Sequence, residues 1–287
     1  MVSLFPHPGV PRSGVPAPGP ARRKPRPNPW AWALCALPGV LAMGENAYGQ
    51  TNRVTDHNAV GWYVYVGDHA VGRKWRLHTE YQWRRNDFIR TWQQSLARVG
   101  LAWQVLEKAA TGAGYTHLTT YPYGEHPAAG RGVPTQEHRL HEEVQWKADV
   151  GRLALTHRLR LEQRWLGQAG ATDPRRVTAW VFQHRVRYYL QANVPLRGPV
   201  IDDREFYLTC FAELFVGFGR HVKNNVFNQN RLLGGVGYRV SKGCQLELGY
   251  LNQITQHAAN DPATGKPVFE INNGFRLNVN YSLDFTR

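Results

Sequence analysis

Much is missing from this chain of 287 residues. It has three cysteines and no apolar run long enough to cross a bilayer as a helix. Hardly any segment carries a helical hydrophobic period. No similarity recurs at 30–50 residues, which excludes propellers and solenoids. After residue 50 there is no lysine-rich run, no RNA-recognition motif and no zinc spacing, so nucleic acid is a poor candidate partner. Present instead are a formal charge of +14, ten tryptophans and 12 % aromatic residues. Such a basic balance suits an anionic membrane surface or small anionic ligands.

The first fifty residues differ from the rest. Residues 6–29 are Pro-rich and basic, and WAWALCALPGVLAM (30–43) follows. That run has the length of a signal-peptide core, and Ala47-Tyr48-Gly49 supplies small residues for cleavage before Gln50. Residues 1–49 therefore read as a signal peptide with a long Pro/Arg-rich leading region, 50–58 as a short N-terminal segment. The alternative is a disordered tail with an incidental apolar patch. Cys35 follows Leu34 rather than a small residue, which argues against a lipoprotein anchor. Removing 1–49 takes away Arg12, Arg22, Arg23, Lys24, Arg26 and Glu45, leaving +10.

From residue 59 to 287 the pattern is alternation. In KWRLHTEYQWRR (74–85), Trp75, Leu77, Thr79, Tyr81 and Trp83 interleave with Arg76, His78, Glu80, Gln82 and Arg84. This is the period of a two-faced β-strand. Similar strands fall near 59–67, 74–84, 93–105, 112–121, 137–147, 153–166, 177–192, 205–218, 228–240, 243–255 and 271–286. Short links alternate with long polar ones, except that the long link 193–205 falls where a short one is expected. This is the rhythm of an up-and-down meander. Cys210 and Cys244 come two strands apart, roughly 9–10 Å, too far to bridge.

Charge sets an expected register for the fifth and sixth strands. Pairing Glu143 with Arg158, Arg139 with Glu162 and Glu137 with Arg164 puts opposite charges face to face. The neighbouring register opposes Arg139 to Arg160 and Glu137 to Glu162, and like charges directly opposite are destabilising.

Alternation alone does not say which face meets water. Strand length does. The strands are long for a soluble domain, and eleven residues tilted about 45° rise about 25 Å, the apolar band of an outer-membrane barrel. Trp75, Trp83, Trp146, Trp165 and Trp180 fall near strand ends, where membrane interfaces would lie. The expectation is an all-β chain: a transmembrane up-and-down antiparallel β-barrel in the outer membrane of a Gram-negative bacterium. Its partners would be membrane lipid and the outer-membrane assembly machinery. Bacterial single-chain barrels use even strand numbers. Eleven strands are visible, so a twelfth is expected in 51–58, with ten as the fallback.

The residues also carry a resemblance. RKWRLHTEYQWR around Trp75, THRLRLEQRW (156–165), FNQNRLLGGVGY (227–238) and LELGYLNQ (246–253) resemble the family known as domain of unknown function 2490. The resemblance covers roughly 55–287 and implies an outer-membrane β-barrel without an assigned activity.

On the lumen-facing parity stand Arg76, Arg84, Arg139, Lys147, Arg158, Arg160, Arg164, Arg185, Arg187, Arg231, Arg239 and Arg276. Against them stand Glu80, Glu143, Glu162, Glu213, Glu247 and Asp284. The core of the expected network is Arg139, Glu143, Arg158, Arg160, Glu162, Arg164, Arg185 and Arg187. Such side chains either plug a small barrel or line a narrow pore favouring small anions. A lipid-modifying hydrolase is the rival class. Its candidates are His117 with Thr119 or Thr120, and Thr156 with His157, but no serine accompanies them. His138 and His141 lie on opposite faces of one strand and make a poor metal pair. No cofactor is expected. Surface adhesion or scaffolding through the long loops is a third reading.

Overall fold

The computed structural model describes residues 52–128, 132–170 and 172–286. The expected signal peptide lies outside the described residues. Every strand reads from the alternation above: β1 (Val54–Ala70), β2 (Trp75–Asn86), β3 (Thr91–Leu106), β4 (Ala109–Thr120), β5 (Thr135–Val150), β6 (Leu153–Ala169), β7 (Val177–Pro195), β8 (Glu205–Phe218), β9 (Phe227–Ser241), β10 (Cys244–Asn260) and β11 (Pro267–Tyr281). Each pairs with its sequence neighbours in an antiparallel ladder, and β1 closes on β11.

Among the described residues the count is eleven, which corrects the expected twelve. Residues 54–58 do not form a strand of their own; they extend β1. With an odd number of alternating strands the first and last run the same way. The closing pair is therefore parallel, from Val54↔Val268 to Val66↔Asn280. The Ala70 N–H donates to the Leu283 carbonyl and the Phe285 N–H to that of Ala70, both at 2.9 Å, carrying the seam past β11.

Turns gather by size at the two ends. Residues 71–74, 107–108, 151–152 and 242–243 are short, and the longer 196–204 shares their end. The opposite end carries 87–90, 121–134, 170–176, 219–226 and 261–266.

The β5–β6 register differs from the charge-based expectation. The facing pairs are Glu143↔Arg160, His141↔Glu162 and Arg139↔Arg164. A two-residue turn sets it: Val150 pairs Leu153, and Gly151 takes φ +63° between them. Such hairpin turns favour glycine at their first central position. Like charges do face each other at Arg139 and Arg164, and Glu137 relieves them. One of its oxygens accepts from Arg139 Nε at 2.7 Å and from Arg164 Nε at 2.5 Å.

The outer wall is apolar and aromatic. Among the described strand residues its outward positions carry two formal charges, Arg85 near the long loops and Glu142 between Leu140 and Val144. Toward the short turns, Trp75 stacks on Trp103 and Trp146 on His157, with ring centroids 6.2 and 5.0 Å apart. Toward the long loops, Trp83 meets Tyr63 and Trp92, Trp165 meets Phe182, and Trp180 meets His138.

Candidate functional site

Inward positions fill the barrel, and the filling differs along its length. Toward the short turns Tyr207 is fully buried. Its ring occupies the space beside Gly237, where a Cβ would lie 2.1 Å from the ring, and its hydroxyl donates to Glu247 at 3.0 Å.

Charge dominates β5 to β8. Glu143 accepts from Arg160 Nε at 2.7 Å and lies 3.8 Å from Arg158. Arg158 reaches Glu213 at 3.2 Å, and Glu213 also takes Arg187 at 2.6 Å. Arg187 bonds Glu162 at 2.6 Å, and Glu162 takes Arg185 at 2.5 Å. The chain from Arg160 to Arg185 is thus continuous over four strands. Arg160 and Glu162 are each only 1 % exposed, so these pairs act in a low-dielectric interior. Glu137 with Arg139 and Arg164 forms a separate knot. All eight residues of the expected network face inward. Two of the three expected ion contacts form: Glu137 with Arg164, and the longer Glu143 with Arg158. Arg139 goes to Glu137 instead of Glu162.

Several inward residues were not foreseen. Arg98 on β3 is buried, pairs with Glu80, and donates to Thr116 at 2.9 Å. Asp56 and Glu270 join the acids of the lumen, as does Glu137, already expected opposite Arg164. Asp284, counted among the acids, lies beyond β11 in a bridge with Ala70. Apolar residues also point inward: Val60, Trp62, Val64, Phe211, Leu233 and Leu251 form one buried cluster. On β8 the signal was present. Phe211 and Phe215 share the parity of Glu213, which had been placed in the lumen.

These rings answer the excess of cations. Arg84 lies over Trp62 at 3.9 Å and Arg231 over the same ring at 4.9 Å. Phe215, with no exposed surface, carries Arg185, Arg187 and Arg231 within 5.1 Å of its centroid. Aromatic faces attract cations most strongly where water is excluded. Arg84 is held by a ring without a carboxylate, whereas Arg185, Arg187 and Arg231 rest on a ring and a carboxylate at once.

One long loop reaches into the barrel at its end. Segment 121–128 turns into the barrel and seats Tyr123 against β11. Its hydroxyl donates to Glu270 and accepts from Gln93 Nε2 at 2.9 Å and Asn272 Nδ2 at 3.3 Å. Burial, reinforced by the Glu270 carboxylate, holds the phenol well above its ordinary pKa, so it remains a donor. The His126 N–H donates to Asp56 at 3.0 Å. On the next loop Asp261 accepts from the Thr264 hydroxyl at 2.7 Å, which lowers its pKa.

The histidines singled out as candidate bases lie elsewhere. His117 faces outward, with Nε2 at 2.7 Å from Gln136 Oε1. His157, also outward, meets the Tyr188 hydroxyl at 2.8 Å. His138 faces out and the buried His141 faces in. No group of three or more metal-ligating residues is present among the described residues.

A closed barrel of eleven strands with a charged and aromatic filling defines the class. The family model described as "Protein of unknown function (DUF2490)" matches residues 60–264, and the chain belongs to that family. No curated protein and no solved structure matches it.

Proposed function

We propose that this chain is an outer-membrane β-barrel whose lumen is plugged, so that it serves as a structural envelope protein rather than an open conduit. One observation carries the reading: charge is sorted to the inside. The outer wall is a band of exposed Leu, Val, Tyr and Trp side chains bounded by aromatic residues at both ends, with Arg85 and Glu142 its two formal charges among the described strand residues. A soluble sheet does the reverse and solvates its charged face. Strands of 12 to 19 residues suffice for an apolar band of about 25 Å when tilted. Membrane lipid and the assembly machinery of the envelope are then the partners.

Plugging follows from burial. Arginines fixed on both carboxylates and rings cannot hydrate a passing ion without breaking several contacts at once. The excess of arginine supplies a second reading, a narrow path favouring small anions. Conductance of the purified barrel in a planar bilayer separates them. Silence is expected; anion-selective channels would favour the second reading, and cation-selective channels would defeat both.

A further inference from the structure

The outer wall is interrupted at the parallel seam. The turn 87–90 folds back over β1, where the Asp87 N–H donates to the Ala59 carbonyl at 2.8 Å. Phe88 stacks on Phe275 of β11, centroids 5.8 Å apart and planes 11° from parallel. Asp87 and Phe88 take φ of +48° and +62°, a strained region for side chains that are not glycine. Gly61 makes the approach possible, since a Cβ there would lie 2.1 Å from the Phe88 carbonyl oxygen. Strain of this kind persists only where the surroundings hold it.

The result is a groove of about 610 Å³ along the seam, walled by Ala59, Phe88, Tyr250 and Phe275, with His57 and Asn273 also lining it. It is a shallow, open trough on the outside of the wall rather than an enclosed pocket. Asn273 Oδ1 already accepts from the Tyr250 hydroxyl at 2.9 Å and from Asn252 at 2.8 Å, so that oxygen is satisfied within the wall. At the long-loop end the outward face of the seam carries, among the described residues, one cation, Arg53, which lies over Phe269 at 5.4 Å. Arg85 sits over Trp83 and Trp92 and holds the turn by donating to the carbonyls of Ile89 and Arg90. Asp87 is the acid of this turn. A peptide strand finds no open edge here, because β1 and β11 are paired to each other.

We propose that this groove holds one acyl chain of an anionic membrane lipid, its phosphate resting against Arg53 at the long-loop end of the seam. The proposal rests on the membrane reading above. It explains why a strained turn is spent on the outside of the wall: Phe88 and the seam form a clamp that a smooth barrel lacks.

The test uses detergent-purified barrel, stripped of lipid and offered dimyristoyl phosphatidylglycerol or phosphatidylcholine, with bound lipid read by native mass spectrometry. Phosphatidylglycerol should be retained in preference. Ala59→Trp, which fills the groove, should weaken retention about tenfold, equivalent to about 1.4 kcal/mol. Leu248→Trp, elsewhere on the outer wall, should leave it unchanged. Arg53→Gln should keep a bound chain but abolish the preference between headgroups. If Ala59→Trp does not close into a barrel, Tyr250→Ala removes one exposed wall and should show the same loss. Equal retention by wild type and the groove variants, or equal loss with Leu248→Trp, overturns the groove while leaving the membrane reading intact. A chain that fails to float with phosphatidylglycerol vesicles overturns both.

Discussion

Inside a barrel an arginine can be neutralised by a carboxylate or spread over a ring, and the two solutions differ in what their removal costs. Glu162 is shared by Arg185 and Arg187 with almost no exposure. Glu162→Gln keeps the shape and strips the charge, leaving buried Arg185 without a carboxylate and Arg187 with Glu213 alone. The expected loss is about 3–5 kcal/mol, read by urea unfolding in lipid vesicles. Adding Arg185→Gln should recover part of it, so the double variant loses less than the sum of the singles. Arg84 is different: it bonds Gln82 and Gln94 and stacks on Trp62, with no acid involved. Arg84→Gln should cost only about 1–2 kcal/mol, the scale of a desolvated cation–π contact. A loss as large as that of Glu162→Gln would contradict this division of roles. Glu142 is the remaining oddity, an acid on the outer wall flanked by leucine and valine. In a bilayer Glu142→Leu should stabilise the barrel by about 1 kcal/mol or more; in detergent-free solution the same change would promote aggregation.

At the scale of elements, the strands were legible because alternation is local. A side chain's face follows from its neighbours two residues away. Register was not legible, because it depends on the turn as well as on facing charges. The two-residue turn at Gly151 moved β5 against β6 by one pair, and arginine side chains are long enough to find a carboxylate diagonally. The inward Phe211, Phe215 and Trp62 were obscured by equating apolar with outward, although the parity of Glu213 already placed two of them. The loop segment that enters the barrel carried no motif at all. Tyr123 holds it, and the sign of its titration is clear. A raised phenol pKa means that the docked state favours the neutral form, so the anchor is intact below the ordinary value of about 10 and is lost only as pH rises past it. Tyr123→Phe should weaken the segment by about 1–3 kcal/mol at neutral pH, seen as faster amide exchange and proteolysis within 121–134. Unchanged exchange would mean that the Asp56 contacts suffice alone.

For the whole molecule the odd strand count has a topological consequence. Even strand numbers return both chain ends to one side of a membrane; eleven strands with a parallel seam put Val54 at the long-loop end and Tyr281 at the short-turn end. Eleven strands were visible in the sequence and the even-number rule raised the expectation to twelve; residues 54–58 instead lengthen β1, pairing with Val268 to Asn272 on β11. Single cysteines report the outcome in a background without native ones. Arg53→Cys should react with an impermeant maleimide from the same side of sealed vesicles as Ala263→Cys in a long loop. Thr286→Cys should react from the other side, together with Val200→Cys in the 196–204 link. If Arg53→Cys and Val200→Cys label together, an additional crossing precedes β1 and the barrel closes with an even number of strands. If the four sites sort as expected, the parallel seam is real in the bilayer, and the clamp of Phe88 over it marks the one line where this wall departs from a uniform antiparallel ladder.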